Sequence, residues 1–175
     1  MRAAKKGKGD LYARFKKEDA GWALTRVWLD ALEETARDFY GRPKRFCVRA
    51  YEHATENWLR ILSNEYGIHH EEANTIKGAV ESYIKAGVKG GLFDDASQFV
   101  LKEINPNRLE IKVLSCPYKE TCYDLLEQGY SIKDLTCARL GCFRASVLLL
   151  SGIDCDYEVI GVHLEEGCEG FIERK

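Results

Sequence analysis

Cysteine is the residue type in this sequence with the greatest capacity for chemistry. Seven of the 175 residues are cysteines, and six of the seven follow residue 115. The count is odd and the first ten residues lack the apolar stretch of a secretory leader, so we expect reduced thiols in the cytoplasm rather than a disulfide framework. A reduced segment this rich in cysteine favours a metal site or thiol chemistry. The cysteines are Cys47, Cys116, Cys122, Cys137, Cys142, Cys155 and Cys168.

Three of these cysteines are predicted to lie where secondary-structure elements begin or end. Cys116 ends a strand, Cys137 lies in the first turn of a helix, and Cys168 flanks a tight turn opposite His163. Thiolates and imidazole are the ligands of tetrahedral zinc sites. We therefore predict a zinc site formed by Cys116, Cys137 and Cys168 and completed by His163 or Cys122. An iron–sulfur cluster held by the four cysteines of this set is the alternative cofactor.

The last hairpin decides which side chains share a face with Cys168. If Glu165 pairs with Cys168 across the turn, then His163, Glu165 and Cys168 lie on one face of the sheet, because strand faces alternate. The residues then predicted to face the core are Ile160, Val162 and Leu164.

The remaining cysteines are predicted to lie outside this site. Cys137 and Cys142 would be about 140° apart on a helix and cannot easily bind one ion, so Cys142 is assigned to the core. Cys47 falls on the apolar stripe of a helix and is assigned to the core as well. Cys155 is predicted to be a free thiol in a loop.

Hydrophobic periodicity predicts the elements that must position these side chains. Apolar residues spaced by three and four predict three helices that pack on one another or on a sheet. Alternating residues around Asn105-Pro106-Asn107 predict a β-hairpin, and a second hairpin turns at Glu166-Gly167. The predicted helices are 19–40, 44–66, 71–86, 119–128 and 134–151, and the predicted strands are 97–104, 108–115, 157–165 and 168–174.

This order of elements predicts an α+β fold, with three helices followed by ββ-αα-ββ on an antiparallel sheet. We expect one domain over residues 18–175, with a helical part at 19–90 and a cysteine-rich part at 97–175. Residues 1–17 contain seven Lys or Arg residues and one acid, Asp10, and are predicted to be a flexible basic tail.

The composition and the absence of certain motifs argue against several classes of protein. The formal net charge is −2, so no overall basic field favours a nucleic-acid partner. No apolar run reaches the roughly 18–20 residues of a membrane span, and we expect no membrane partner. The sequence contains no GxGxxG, Walker A, HExxH or GxSxG motif, so nucleotide binding and the common hydrolase mechanisms lack support.

Three segments of the C-terminal half resemble the 4-vinyl reductase domain and the related L-2-amino-thiazoline-4-carboxylic acid hydrolase-like proteins. They are Cys116-Pro117-Tyr118, the stretch from Gly129 to Cys137, and the stretch from Glu165 to Ile172. The resemblance implies a structural zinc ion held by Cys137 and the Glu165-x-x-Cys168 motif. The family's cysteine that follows this motif has no counterpart in residues 169–175, so Cys116, Cys122 or His163 would complete the site.

The resemblance also implies a domain that encloses a small hydrophobic or aromatic ligand between helices and sheet. Our leading interpretation is therefore a cytoplasmic binding domain with a structural metal site. The alternative is an enzyme of small-heterocycle or tetrapyrrole metabolism, a hydrolase or reductase in which a cysteine or the metal is the reactive centre. We also expect a homodimer, because the aromatic content of the three N-terminal helices exceeds what one sheet face requires.

Overall fold

Over the residues that the structure describes, the chain forms five helices and a four-stranded antiparallel sheet, which confirms the predicted α+β class. The computed structural model describes residues 20–41, 43–163 and 165–175, so the predicted tail at 1–17 lies outside the described residues. The helices are α1 Ala20–Tyr40, α2 Lys44–Tyr66, α3 Ile76–Lys89, α4 Lys119–Glu127 and α5 Ala138–Ser151. The strands are β1 Phe99–Asn105, β2 Arg108–Val113, β3 Cys155–His163 and β4 Gly167–Arg174.

Two hairpins form the sheet, which has the strand order β1-β2-β4-β3. The first hairpin is the one predicted, and its turn is closed by the Asn107 amide, which donates to the Asn105 side chain at 2.9 Å. The second hairpin joins the first through β2 and β4, where Val113 pairs with Cys168. This pairing places the end of β2 beside the start of β4.

Helix α5 lies at the centre of the fold and packs against α2, α3 and β3. Apolar side chains project from all sides of this helix, and Phe143 and Val147 are fully buried. Two glycines allow α5 to pack closely against its neighbours. A Cβ atom at Gly141 would lie 2.1 Å from the Tyr51 ring, and one at Gly170 would lie 2.3 Å from Leu140 Cδ1.

Two helices begin later than the sequence predicts. Helix α3 begins at Ile76 rather than 71, because the Thr75 side chain accepts a hydrogen bond from the Gly78 amide at 3.0 Å and caps the helix there. Helix α5 begins at Ala138 rather than 134. Residues Ile132–Asp134 form a separate 3₁₀ turn with a capping box at Ser131.

Helix α1 has the predicted apolar stripe, but the stripe does not pack on the other helices or on the sheet. Leu24, Val27 and Trp28 are 59%, 62% and 69% exposed, whereas the charged Glu33 and Arg37 are largely buried. The helix therefore turns its polar side toward the protein and its apolar side outward.

The register of the second hairpin differs from the predicted one. An irregularity between Val159 and Gly161 shifts the pairing, so that Val162 pairs with Cys168 and His163 pairs with Gly167. Ile160 is 51% exposed, so the prediction that it faces the core is wrong. Leu164 lies outside the described residues.

Cys155 also differs from its prediction. It is the first residue of β3 and is fully buried, rather than lying in a loop. Its pairing with Arg174 extends the second hairpin by two residues beyond the predicted start at 157.

Among the described residues, no helix combines the length and the apolar character that a membrane span requires.

Candidate thiol site

Four cysteines from four different elements converge at one end of the sheet, and we call this set the thiol cluster: Cys116, Cys122, Cys137 and Cys168. Cys116 follows β2, Cys168 is the second residue of β4, Cys122 lies in the first turn of α4, and Cys137 directly precedes α5. Their side chains are buried, with exposures between 4% and 8%. The Cys116 and Cys168 thiols hydrogen-bond to each other, and both lie within electrostatic range of Cys137.

Cys137 has an unusual backbone conformation. Its φ angle is 43°, and it is the one non-glycine residue with a positive φ in the part of the chain that the structure describes. Such a conformation costs on the order of 1–3 kcal/mol and persists only where the surroundings fix it. The preceding residue, Thr136, supplies that restraint. Its hydroxyl contacts Glu33 Oε1 at 2.5 Å and Tyr51 Oη at 3.1 Å, and its carbonyl accepts a hydrogen bond from Tyr157.

Cys116 is the thiol of this cluster that ionises most easily. The hydrogen bond from Cys168 lowers the pKa of Cys116, against the effect of burial. The backbone amides of Tyr118 and Lys119 at the start of α4 and the positive charge of Arg139 act in the same direction. Cys116 is therefore the member of the buried Cys116–Cys168 pair on which the negative charge is favoured.

The other three thiols are held in the protonated form. Donating its hydrogen to Cys116 raises the pKa of Cys168, and burial adds to the effect. Burial raises the pKa of Cys137 to about 12, with a further contribution from the charge of Cys116. Burial also raises the pKa of Cys122. The cluster without a metal thus holds at most one negative charge, on the Cys116–Cys168 pair.

Arg139 supplies the positive charge beside the cluster. Its side chain is buried, and its Nε atom has no hydrogen-bond partner. The guanidinium carbon lies 4.5 Å from the centre of the Phe93 ring and 5.8 Å from that of Tyr118. Sequence reasoning missed Arg139, although a charged residue within a helix predicted to be apolar all round was an available signal.

A pH titration of the metal-free protein should test the Cys116 assignment. We expect thiolate absorbance in the ultraviolet to rise by one thiol per chain at a lower pH than an ordinary cysteine requires. Cys168→Ala removes the hydrogen-bond donor and should move this step to higher pH, because the largest cause of the lowered pKa is lost. Cys168→Ser retains a donor and should shift the step less. An unchanged step in the Cys168→Ala protein would contradict the assignment.

The predicted ligand His163 does not join the thiol cluster. His163 pairs with Gly167, one residue from the Val162–Cys168 pair, so His163 and Cys168 lie on opposite faces of the sheet rather than on the shared face predicted. His163 and Glu165 are both exposed. Across the described ranges, no three His, Cys, Asp or Glu side chains are already arranged so that they could hold a metal ion.

The remaining cysteines lie away from the cluster. Cys47 is 1% exposed, in agreement with its assignment to the core. Cys142 is half-buried beside Thr55 and Tyr83, packed against the core as predicted.

A groove of about 600 Å³ lies between α3 and the edge strand β1. Five apolar residues line it: Ile84, Val88, Ala96, Phe99 and Leu101. Five charged residues line it as well: Lys77, Glu81, Lys85, Lys89 and Asp95. Its position between helix and sheet, and its mixed lining, suit a small ligand that has an apolar body and a polar end.

No protein-family model matches the chain, and a search of curated proteins finds no significant match.

Proposed function

We propose that the protein is a cytoplasmic small-molecule-binding domain of the 4-vinyl reductase kind, with a structural zinc ion held by the thiol cluster. The observation that carries the proposal is the convergence of four buried cysteines from four elements. The donor set fits zinc, which prefers four thiolates in a closed structural site. The proposal requires the Cys122 and Cys137 side chains to approach the Cys116–Cys168 pair.

The positive charge beside the thiol cluster also supports the assignment of zinc. A zinc ion with four thiolates carries a charge of −2, which is costly in a buried site without a nearby cation. Arg139 provides that cation, and its unpartnered Nε atom is available to a thiolate sulfur. Bound zinc would link the sheet end at Cys116 and Cys168 to the beginnings of α4 and α5, and the binding energy would add to the stability of the fold.

The groove between α3 and β1 is the proposed ligand site. Its apolar floor at Phe99 and Leu101 would accept a hydrophobic or aromatic body, and the lysines at its rim would accept a negatively charged end. Lys89 lies at this rim, whereas Lys85 is already paired with Glu71 at 2.6 Å. We expect the ligand to be a small hydrophobic or aromatic carboxylate.

Metal analysis of the full chain, together with a native mass spectrum, tests the zinc assignment. Purified without chelator, the protein should contain one zinc ion per chain and be colourless. If the purified protein is brown and contains iron, the cofactor is an iron–sulfur cluster rather than zinc. A protein that contains no metal and does not take up added zinc would overturn the metal site.

The second candidate is an enzyme of small-heterocycle or tetrapyrrole metabolism in which Cys116 is the nucleophile. The observation that favours it is that the hydrogen bond from Cys168, the first amides of α4 and the charge of Arg139 all favour the thiolate form of Cys116. Glutathione disulfide separates the two candidates. A reactive Cys116 would attack it, release one glutathione thiolate and form a mixed disulfide, which mass spectrometry detects as added glutathione. Thiols bound to zinc as a closed structural site should resist the reagent.

A further inference from the structure

Helix α1 is amphipathic, but its apolar side faces solvent and its polar side faces the rest of the protein, which is the reverse of an ordinary surface helix. Seven residues at spacings of three and four form a continuous exposed band, which we call the outer stripe. It extends over about 22 Å of helix. The outer stripe consists of Leu24, Val27, Trp28, Ala31, Leu32, Thr35 and Phe39.

Polar contacts on the opposite side of α1 explain why the stripe faces outward. Arg37 donates to the Asp134 carbonyl at 3.0 Å and pairs with Glu33 at 3.2 Å. Thr121 donates to Asp30 at 3.0 Å. The guanidinium of Arg37 also lies 4.5 Å from the centre of the Tyr130 ring. These contacts fix the rotation of the helix, so the outer stripe cannot turn inward without breaking them.

The apolar area of the stripe is large for a monomer surface. Trp28 and Phe39 are 69% and 79% exposed, and together they leave roughly 300 Å² in contact with water. Leu24, Val27 and Leu32 enlarge the patch beyond the few hundred Å² that single chains usually expose. Tyr40 of α1 and Phe46 of α2, 66% and 40% exposed, extend this surface toward the roughly 800 Å² per partner of a standard interface.

We propose that the outer stripe of α1 is the interface of a twofold homodimer. The stripe contains no charged residue, so a second copy can face it without opposing like charges. The aromatic residues Tyr40 and Phe46, which stack with ring centres 5.9 Å apart, continue the surface at the C-terminal end of the stripe. The inference identifies the surface of the expected dimer and does not depend on the zinc site.

Two other occupants fit the stripe less well. Residues 1–19 contain four large apolar residues against seven Lys or Arg residues, which is too few to cover the stripe. A membrane surface attracts amphipathic helices that carry an excess of basic residues. The sequence of α1 has four acidic residues and two basic ones, so the helix itself lacks the basic excess of such membrane-binding helices.

Light scattering coupled to size-exclusion chromatography of the full chain tests the proposal. The native protein should have twice the 19.9 kDa mass of one chain. Trp28→Glu places two like charges across the interface and should weaken self-association by at least about 30-fold. Ile160→Glu is the matched control, because Ile160 is an apolar residue 51% exposed on the sheet, and it should leave the dimer intact.

Hydrogen exchange provides a readout that needs no variant. Amides of α1 should exchange more slowly at protein concentrations where the dimer forms than at high dilution. The proposal is overturned by a monomer at every concentration, by a mass that grows without limit, or by equal effects of Trp28→Glu and Ile160→Glu.

Discussion

An Arg144→Met variant should lose about 3–5 kcal/mol of its free energy of unfolding. Arg144 lies on the central helix α5 with its side chain 5% exposed. It pairs with Glu52 of α2 and donates to the Cys155 carbonyl at 2.6 Å. Without the guanidinium, the largely buried Glu52 carboxylate and the Cys155 carbonyl lose this partner, and methionine replaces none of their hydrogen bonds. Urea unfolding at neutral pH measures the loss.

Acid should reduce the difference between this variant and the native protein. Burial raises the pKa of Glu52, but the hydrogen bonds and charges of Arg49 and Arg144 outweigh it, so the net pKa lies below the ordinary value of 4.5. A carboxylate with a lowered pKa stabilises the fold fully above the pKa of its unfolded state and loses this contribution as the pH falls through its folded pKa. The two proteins should therefore become more alike below about pH 4.

Arg49→Met is the matched control for Arg144→Met. Arg49 also pairs with Glu52, at 2.6 Å, but its side chain is 67% exposed. An exposed ion pair contributes between about 0 and 1 kcal/mol, so this substitution should have a small effect. Equal losses in the two variants would contradict the role assigned to burial.

Local signals in the sequence predict most of the helices and strands. The limits of α2 are 44 and 66 as predicted, because Gly67 adopts a left-handed conformation with φ 65° and ends the helix. Both hairpins follow from alternating residues around short turns. The late starts of α3 and α5 arise from side-chain caps at Thr75 and Ser131, which compete with apolar periodicity for the same residues.

Features that depend on distant contacts could not be predicted in this way. Periodicity identifies the apolar stripe of α1 but not its direction, which is set by the contacts of Arg37 and Asp30 with residues about 90 positions away. The approach of Cys116 to Cys168 requires the register of β2 against β4, which no local pattern encodes. The irregularity before Gly161 likewise determines that His163 faces away from Cys168.

If the thiol cluster binds zinc as proposed, a Cys137→Ser variant should lose the metal and unfold at a lower temperature. Structural zinc contributes roughly 10–16 kcal/mol of binding energy in small domains, and loss of one thiolate should remove several kcal/mol of it. The loss of zinc-binding energy should be large at this position, because Thr136 fixes the Cys137 backbone in its strained conformation. Metal content by mass spectrometry and the thermal midpoint with and without added zinc provide the measurements.

Cys47→Ser is the control, because Cys47 is a buried cysteine on α2 outside the cluster. This variant should keep the metal and lose only a packing-scale amount of its free energy of unfolding, roughly 1–2 kcal/mol.

Proton release gives a second measurement of metal binding. Because the pKa values of Cys122, Cys137 and Cys168 are all raised, zinc binding at neutral pH should release at least three protons in the native protein. Zinc affinity should therefore fall steeply as the pH is lowered. If Cys137→Ser keeps its full metal content, Cys137 is not a ligand, and its conformation serves only the packing of α5.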